Sequence, residues 1–186
     1  DNSVVIRIAR AEMGQGAQTG LAMLVAEELE CDWSKVRTEF VSPQENMRRE
    51  NVWGDMSTGA SRSVASSQLY LRQAGATARE MLIAAAAAGW NVPPSECFAA
   101  MSAITHRPSG RTVTFGAVAE AAAKVPPPAE VMLKNPRQWK LAGTPRRRLD
   151  VFDKVTAQPV YAIDVRLPGM LYAAIAHCPV FGGAPK

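Results

Sequence analysis

The sequence predicts a mixed α/β fold of the α+β class, and three patterns support this prediction. Apolar residues alternate over residues 4–8, as in a half-buried strand, and recur at helical spacing over residues 17–31. A second strand is predicted over residues 36–41, where Pro43 closes it. With 186 residues, of which 47% are hydrophobic and 20% charged, the chain has the composition of a globular protein.

The next stretch combines a long loop with a long helix. Residues 44–58 predict a polar loop, and a loop of this length in a compact domain is usually functional or ordered by a partner. A helix is predicted to begin after residues 57–61 and to continue to residue 88, where Gly89 stops it. Its many small residues predict close packing against another element.

The middle of the chain predicts a hairpin, a short helix and a linker. Residues 97–106 and 112–115 are expected to form two strands of the hairpin, and residues 117–124 a short helix. Prolines punctuate residues 126–150, which are expected to form an irregular linker along the surface.

The C-terminal stretch predicts a second hairpin. Residues 160–165 and 170–177 are expected to be strands joined by a turn at residues 167–169. The second strand is apolar throughout, and two strands alone cannot cover both of its faces. We therefore expect this hairpin to open a second domain whose remainder lies outside this chain.

Charge and cysteine content narrow the possible functions. The net charge is +4, part of it at Arg146, Arg147 and Arg148. No aromatic residues interleave these arginines, so a solvated linker is favoured and no nucleic-acid partner is expected. The three cysteines and two histidines have no metal-ligand spacing, so no metal site is expected from this chain. Cys31 and Cys178 are expected to be buried and both histidines structural.

The first candidate site is the sequence AEMGQG at residues 11–16, between the first strand and the first helix. Two glycines free the backbone of Cβ atoms and flank Gln15, whose amide offers both a donor and an acceptor. The N–H groups of the following helix favour a nearby anion. A plain strand-to-helix turn remains the alternative, because the third glycine of a dinucleotide fingerprint is missing.

The second candidate site is the sequence STGAS at residues 57–61. Its three hydroxyls at a predicted helix start suit either a phosphate group or ordinary capping. Two such helix starts together suggest a phosphate-bearing cofactor. Glu12 and Asp55 could serve as an acid or base, but surface or loop-anchoring roles are favoured because nothing pairs them in sequence.

The AEMGQG sequence resembles the molybdopterin-binding region of the xanthine dehydrogenase/aldehyde oxidase family. The closer resemblance is to the large (beta) subunit of bacterial isoquinoline 1-oxidoreductases and related molybdenum-dependent aldehyde dehydrogenases. Three further stretches carry it: LVAEEL with DWSKV at residues 24–36, STGASRSV at residues 57–64 and YAIDVRLPGMLYAAI at residues 161–175.

The resemblance implies a division of the chain and a set of site residues. Residues 1–145 would be the first part of a molybdopterin-binding domain, and residues 150–186 the start of a hammerhead-type α/β domain. Ala157 stands where relatives usually carry glycine, so a positive φ there would strain the turn. No catalytic residue and no metal ligand is expected in this chain. The expected cofactor-binding residues are Gly14, Gln15, Gly16, Ser57, Thr58, Gly59, Ala60 and Ser61.

The resemblance also implies a function. The chain would be an N-terminal fragment of a molybdenum hydroxylase that oxidises an aldehyde or N-heterocycle with water-derived oxygen. The full enzyme would hold molybdopterin cytosine dinucleotide with molybdenum, whereas the fragment alone is expected to be inactive and could be empty. Its partners would be a small-molecule substrate and a small iron–sulfur subunit, with a cytochrome c subunit as a further candidate. The compartment is left open, with periplasmic or membrane-associated placement requiring a segment before this chain.

The alternative is a non-catalytic subunit-interaction module without a cofactor. In that case the loop at residues 44–58 and the C-terminal hairpin would be partner surfaces.

Overall fold

The N-terminal part of the fold is a parallel β-α-β unit. The computed structural model describes residues 2–184 and divides into two compact units, Asp1–Val151 and Phe152–Lys186. In the first unit, strand β1 (Val4–Ile8) pairs in parallel with strand β2 (Val36–Phe40), and helix α1 (Ala17–Leu29) connects them. All three elements confirm the prediction, and a parallel pair requires a crossover of this kind.

The predicted long helix is interrupted near its start. Helix α3 (Arg62–Ala65) is a separate short turn, and helix α4 (Gln68–Trp90) begins three residues later. Gly89 therefore lies inside α4 and does not stop it. Asn91 ends the helix instead, in the left-handed conformation with φ of 55°, because asparagine tolerates this conformation.

Helix α4 packs along α1, as its small residues predicted. The two helices approach each other closely at Gly75, where an added Cβ would lie 2.5 Å from the carbonyl oxygen of Val25. A glycine is required here by the space between the helices, not by its backbone angles.

The second sheet has three antiparallel strands in the order β3-β4-β5. They are β3 (Cys97–Ala100), β4 (Ala103–His106) and β5 (Thr112–Thr114). The single strand predicted over residues 97–106 is thus wrong, because Met101 and Ser102 both adopt positive φ and form a tight hairpin turn.

Helix α5 follows the second sheet. It covers Phe115–Ala122, so the predicted short helix is confirmed with an earlier start.

The predicted polar loop is partly helical and is held together internally. Helix α2 (Pro43–Arg48) begins with proline, and the Ser42 hydroxyl accepts the Glu45 N–H at 3.1 Å. The buried side chain of Asn46 then accepts the N–H of Trp53 at 3.0 Å and donates to the carbonyl of Gly54 at 2.9 Å. These contacts hold the segment together internally.

Residues 126–150 are irregular, as predicted, apart from a 3₁₀ turn at Pro136–Gln138. They are not a freely solvated linker, however, because Leu141 and Ala142 are buried. The segment is anchored to α1 by the carboxylate of Glu27, which accepts the backbone N–H groups of three consecutive residues. These are Lys140 at 3.0 Å, Leu141 at 2.6 Å and Ala142 at 3.0 Å.

Two glutamates of α1, Glu27 and Glu28, are buried. Glu27 also accepts from the ammonium group of Lys134 at 2.8 Å. Glu28 is fully buried and pairs with the Arg72 guanidinium at 2.7 Å, with Arg79 at 3.7 Å and with the Lys134 N–H at 3.1 Å. Buried carboxylates require such partners, and here they come from elements far along the chain.

Glu27 gives the fold a predictable dependence on acid. Burial alone would raise its pKa, but the Lys134 ammonium and the N–H groups of Leu141 and Ala142 hold the pKa below the ordinary value of 4.5. The stability contributed by Glu27 should therefore be present above pH 4.5 and be lost as the pH falls through its lower folded-state pKa. We expect Glu27→Gln to remove this part of the acid dependence.

Urea unfolding midpoints at several pH values between about 7 and 3 would measure the effect. Parallel midpoint–pH curves for the two proteins would contradict this role of Glu27.

The predicted C-terminal hairpin is not formed in the described residues. Helix α6 (Val151–Val155) is followed by a 3₁₀ turn at Ala162–Asp164, and no strand occurs between residues 160 and 177. Leu171 and Ile175 are 93% and 83% exposed. Without a helix or further strands to cover their apolar side chains, two short strands have little to stabilise them.

Two local predictions for this region are confirmed. A turn occurs at residues 167–169, where the Met170 N–H donates to the Leu167 carbonyl at 3.1 Å and Gly169 has φ of 71°. Ala157 has φ of 55°, so the strain expected for alanine at a positive φ is present in this turn. In the described part of the chain, no helix has the length and apolar character needed to cross a membrane.

Candidate functional site

The candidate site is organised around Arg10, which follows β1 and is 7% exposed. Its guanidinium donates to the carboxylate of Asp55 at 2.9 Å and to the carbonyl of Ser57. It also donates to the hydroxyls of Ser66 and Ser67, each at 3.3 Å. Arg10 therefore links the end of β1 to residues on both sides of α3, including the two serines at which the predicted helix is interrupted.

The structure brings the two predicted candidate segments together. The N–H of Ala11, which begins the AEMGQG sequence, donates to the hydroxyl of Thr58 in the STGAS sequence at 2.8 Å. These residues are 47 positions apart in the chain. We call residues 14–16 the glycine turn and residues 57–61 the hydroxyl segment.

Gln15 lies exposed at the tip of the glycine turn. Its amide oxygen accepts the Met13 N–H at 2.6 Å, and its amide nitrogen donates to the Ala11 carbonyl at 2.9 Å. A primary amide has two N–H donors and two lone pairs on oxygen, so these bonds use half of its capacity. The side chain can therefore be held by its own loop and still meet a ligand.

The flanking glycines are required by the backbone. Gly14 and Gly16 have φ of 102° and 82°, and an added Cβ would have nothing within 4 Å at either position. The glycine turn is thus open on its outer side, where a ligand could approach the backbone closely.

The expectation of a free anion site at the start of α1 is not supported. The carboxylate of Glu12 accepts the N–H groups of Gly14 at 2.8 Å, Gly16 at 3.0 Å and Gln18 at 3.0 Å. Glu12 therefore anchors the loop, which is one of the two roles that the sequence favoured for it. Burial alone would raise the pKa of Glu12, but these N–H groups and the Arg148 guanidinium hold it below its ordinary value.

The hydroxyl segment does not open a long helix. It leads into the four-residue α3, and Ala60 and Ser61 have φ of 49° and 55°. Asp55 accepts the Ser57 N–H at 3.0 Å, in keeping with its favoured anchoring role. Backbone strain of this kind in residues other than glycine occurs often at binding sites, where the surrounding contacts sustain it.

His106 has the structural role that the sequence favoured. Its ring nitrogens lie 2.7 Å from the Ser109 hydroxyl and 2.8 Å from the Glu96 carboxylate. This Ser–His–Glu row resembles a catalytic triad, but the Ser109 oxygen also accepts from the Arg111 guanidinium at 3.0 Å. The row therefore serves to fix the hairpin turn.

The two cysteines that were expected to be buried differ in their exposure to solvent. Cys31 is buried, as predicted, and burial raises its pKa to about 12. Cys178 is exposed, so the prediction of burial is wrong for this residue, because the strand that was to carry it is not formed. Among residues 2–184, no three His, Cys, Asp or Glu side chains are grouped so that they could hold a metal ion.

Arg10 and Arg148 are the site residues that sequence reasoning missed. Arg148 donates to the Gly14 carbonyl at 2.7 Å from 134 residues away, and Arg10 contacts residues 45 to 57 positions away. No local sequence pattern signals contacts at such separations. The sequence favoured a solvated linker for the three arginines at residues 146–148, which include Arg148.

Comparison with known proteins first indicates a class, that of oxidoreductase subunits. The beta subunit of isoquinoline 1-oxidoreductase from Brevundimonas diminuta is 33% identical, over an alignment covering 100% of this chain and 28% of that protein. The membrane-bound aldehyde dehydrogenase [pyrroloquinoline-quinone] of Gluconacetobacter polyoxogenes is 33% identical, covering 92% and 22%. The B subunit of nicotinate dehydrogenase from Pseudomonas putida is 28% identical, covering 98% and 15%.

The family follows from a match that covers most of the chain. The profile of the molybdopterin cofactor-binding domain matches residues 1–162. The chain belongs to this family, which confirms the resemblance carried by the AEMGQG sequence. It spans between 15% and 28% of the length of the three relatives.

Proposed function

We propose that this chain forms one side of the molybdenum-cofactor cleft in the large subunit of a molybdenum hydroxylase. The whole protein would oxidise an aldehyde or N-heterocycle with water-derived oxygen and pass the electrons to iron–sulfur clusters on a small subunit. The observation that carries the proposal is the hydrogen bond between Ala11 and Thr58, which joins the two candidate segments. The family match over residues 1–162 supports it independently.

The described residues fit a polar organic cofactor. The glycine turn is open on its outer side, and the Gln15 amide keeps a donor and an acceptor beyond its bonds within the loop. When bound, the cofactor would supply the two-electron oxidation at molybdenum. The chain's own part would be to orient the cofactor through the Gln15 amide and to line it with the hydroxyl segment.

The finer parts of the proposal concern the cofactor, the partners and the second unit. The cytosine dinucleotide form of molybdopterin, the iron–sulfur subunit and a cytochrome c subunit are proposed from the family resemblance. Residues 150–186 are proposed as the start of a hammerhead-type domain, whose remaining strands would cover the exposed side chains of Leu171 and Ile175.

Mutation of Gln15 tests this function in the full-length protein assembled with its subunits. Gln15→Ala is expected to lower turnover of an aldehyde, isoquinoline or nicotinate by about tenfold or more, because one polar contact to the cofactor is lost. Elemental analysis for molybdenum and chromatography of the released nucleotide would measure cofactor content beside activity.

Gln44→Ala is the matched control, because Gln44 is an exposed glutamine in the short helix α2. It should leave turnover and cofactor content unchanged. Absence of both molybdenum and a pterin from the matured wild-type protein would refute the proposal. Detection of pyrroloquinoline quinone instead would favour the cofactor in one relative's name.

The second candidate is a subunit-interaction module without a cofactor. The exposed apolar residues between 160 and 181 favour it, since large exposed apolar side chains commonly mark interfaces. An unchanged activity and metal content in Gln15→Ala would make this candidate preferable.

A further inference from the structure

The glycine turn is held from its inner side by a single carboxylate. Glu12, whose side chain is 5% exposed, accepts from the N–H groups of Gly14, Gly16 and Gln18. An ionised carboxylate can accept all three bonds, and bonds to a charged group are stronger than neutral ones. The N–H groups of both glycines of the turn are therefore already bonded within the chain.

Arg148 completes this arrangement from the far end of the first unit. Its Nη1 donates to the Gly14 carbonyl at 2.7 Å, and its Nη2 lies 3.1 Å from the Glu12 carboxylate. Asp150 fixes the guanidinium in turn, with bonds of 2.9 Å and 2.7 Å. Both the N–H and the carbonyl group of Gly14 are thus bonded to charged side chains.

Anchoring of this kind bears directly on Gln15, which lies between the two glycines. Glycine loses more conformational freedom on ordering than any other residue, so a Gly-Gln-Gly turn would otherwise sample many conformations. A ligand that binds such a turn must supply the free energy of ordering it, whereas a turn that is already fixed binds without this cost.

We propose that Glu12 and Arg148 are positioning residues, which fix the glycine turn so that Gln15 faces the cofactor before the cofactor binds. The proposal rests on the proposed function for the identity of the ligand. It makes residues 126–150 part of the site, because they determine where Arg148 meets Gly14. A purely structural role would instead lower global stability without a specific effect on the turn.

Hydrogen exchange of the full chain without cofactor separates these two roles. In Arg148→Gln and in Glu12→Gln, the amides of Gly14 and Gly16 should exchange at least about tenfold faster, the factor expected when a bond to a charged group is lost. Amides in the middle of α1 and α4 should keep their wild-type rates. Exchange measured by NMR gives each amide separately.

Two further variants complete the design. Arg147→Gln removes the same charge from the neighbouring exposed residue and should leave every rate unchanged. Arg148→Lys keeps the charge without the forked donor geometry and should give intermediate rates at Gly14. If Arg148→Gln does not fold, Arg148→Lys takes its place as the test of the Arg148 contact.

The exchange rates test the positioning role of Glu12 and Arg148 separately from the proposed function of the chain. Wild-type exchange at Gly14 and Gly16 in both Glu12→Gln and Arg148→Gln would overturn it, as would acceleration spread evenly over α1 and α4. In the assembled enzyme, Arg148→Gln should lower molybdenum content several-fold and Arg147→Gln should not. The proposed function is judged apart, by the presence of molybdenum and pterin in the wild-type protein.

Discussion

Replacing Glu28 by alanine is expected to destabilise the protein by about 3–5 kcal/mol, the usual loss when one partner of a buried ion pair is removed. Glu28 is fully buried, and its carboxylate lies 2.7 Å from Arg72 and 3.7 Å from Arg79, whose side chains are 13% exposed. Without it, the largely buried Arg72 guanidinium loses its carboxylate partner and the Lys134 N–H loses its acceptor, whereas Arg79 keeps the Glu80 carboxylate at 3.1 Å. The midpoint of urea unfolding, followed by circular dichroism, measures the loss.

An exposed pair provides the control for Glu28. Glu120 and Lys124 lie 3.1 Å apart on α5, with side chains 91% and 74% exposed. Glu120→Ala should give no resolvable shift of the midpoint, because solvent screens such pairs. An equal and small shift in both variants would show that burial of Glu28 does not carry the stabilisation described here.

Replacing Gly75 by alanine is expected to cost about 3 kcal/mol, the upper part of the range for overpacked sites. The new Cβ would lie 2.5 Å from the Val25 carbonyl oxygen and 3.1 Å from the Glu28 Cβ. The obstructing oxygen belongs to the backbone of α1, so relief requires the two helices to separate. Thermal and urea unfolding would both report the change.

The same helix contains the control for Gly75. An added Cβ at Gly89 has nothing within 4 Å, so Gly89→Ala should be neutral or stabilise by up to ~1 kcal/mol through its higher helix propensity. Equal effects of the two substitutions would mean that helix propensity, not the distance between α1 and α4, determines the outcome.

Local patterns predict the two strands and the helix of the β-α-β unit but not the parallel pairing of the strands, and long-range contacts explain most of what the sequence left out. The alternation around Ile6 and the helical spacing in α1 depend only on near neighbours, and both were predicted. The break before α4 coincides with contacts from Arg10, which donates to Ser66 and Ser67 from 56 and 57 residues away. No propensity of the serines themselves indicates that contact.

In the candidate site, too, features that depend on neighbouring residues could be predicted, whereas features that depend on distant residues could not. The glycine turn could be found because its glycines are adjacent in sequence and their role is local. The buried carboxylates of Glu27 and Glu28, by contrast, are bonded by Lys134, which lies more than 100 residues away. The failed hairpin at residues 160–177 has a different cause, since its apolar sequence specifies strands only when other elements cover them.

The way in which Glu27 binds residues 140–142 has a consequence for how this sequence can vary. Glu27 accepts only backbone N–H groups there, and every residue type except proline supplies one. The anchor itself therefore tolerates any residue except proline at these positions, whereas burial still limits the side chains of Leu141 and Ala142. A one-residue insertion or deletion between Lys140 and Arg148 would instead displace Arg148 from Gly14. The anchor at Glu27 and the contact of Arg148 with Gly14 therefore both depend on the length of this stretch.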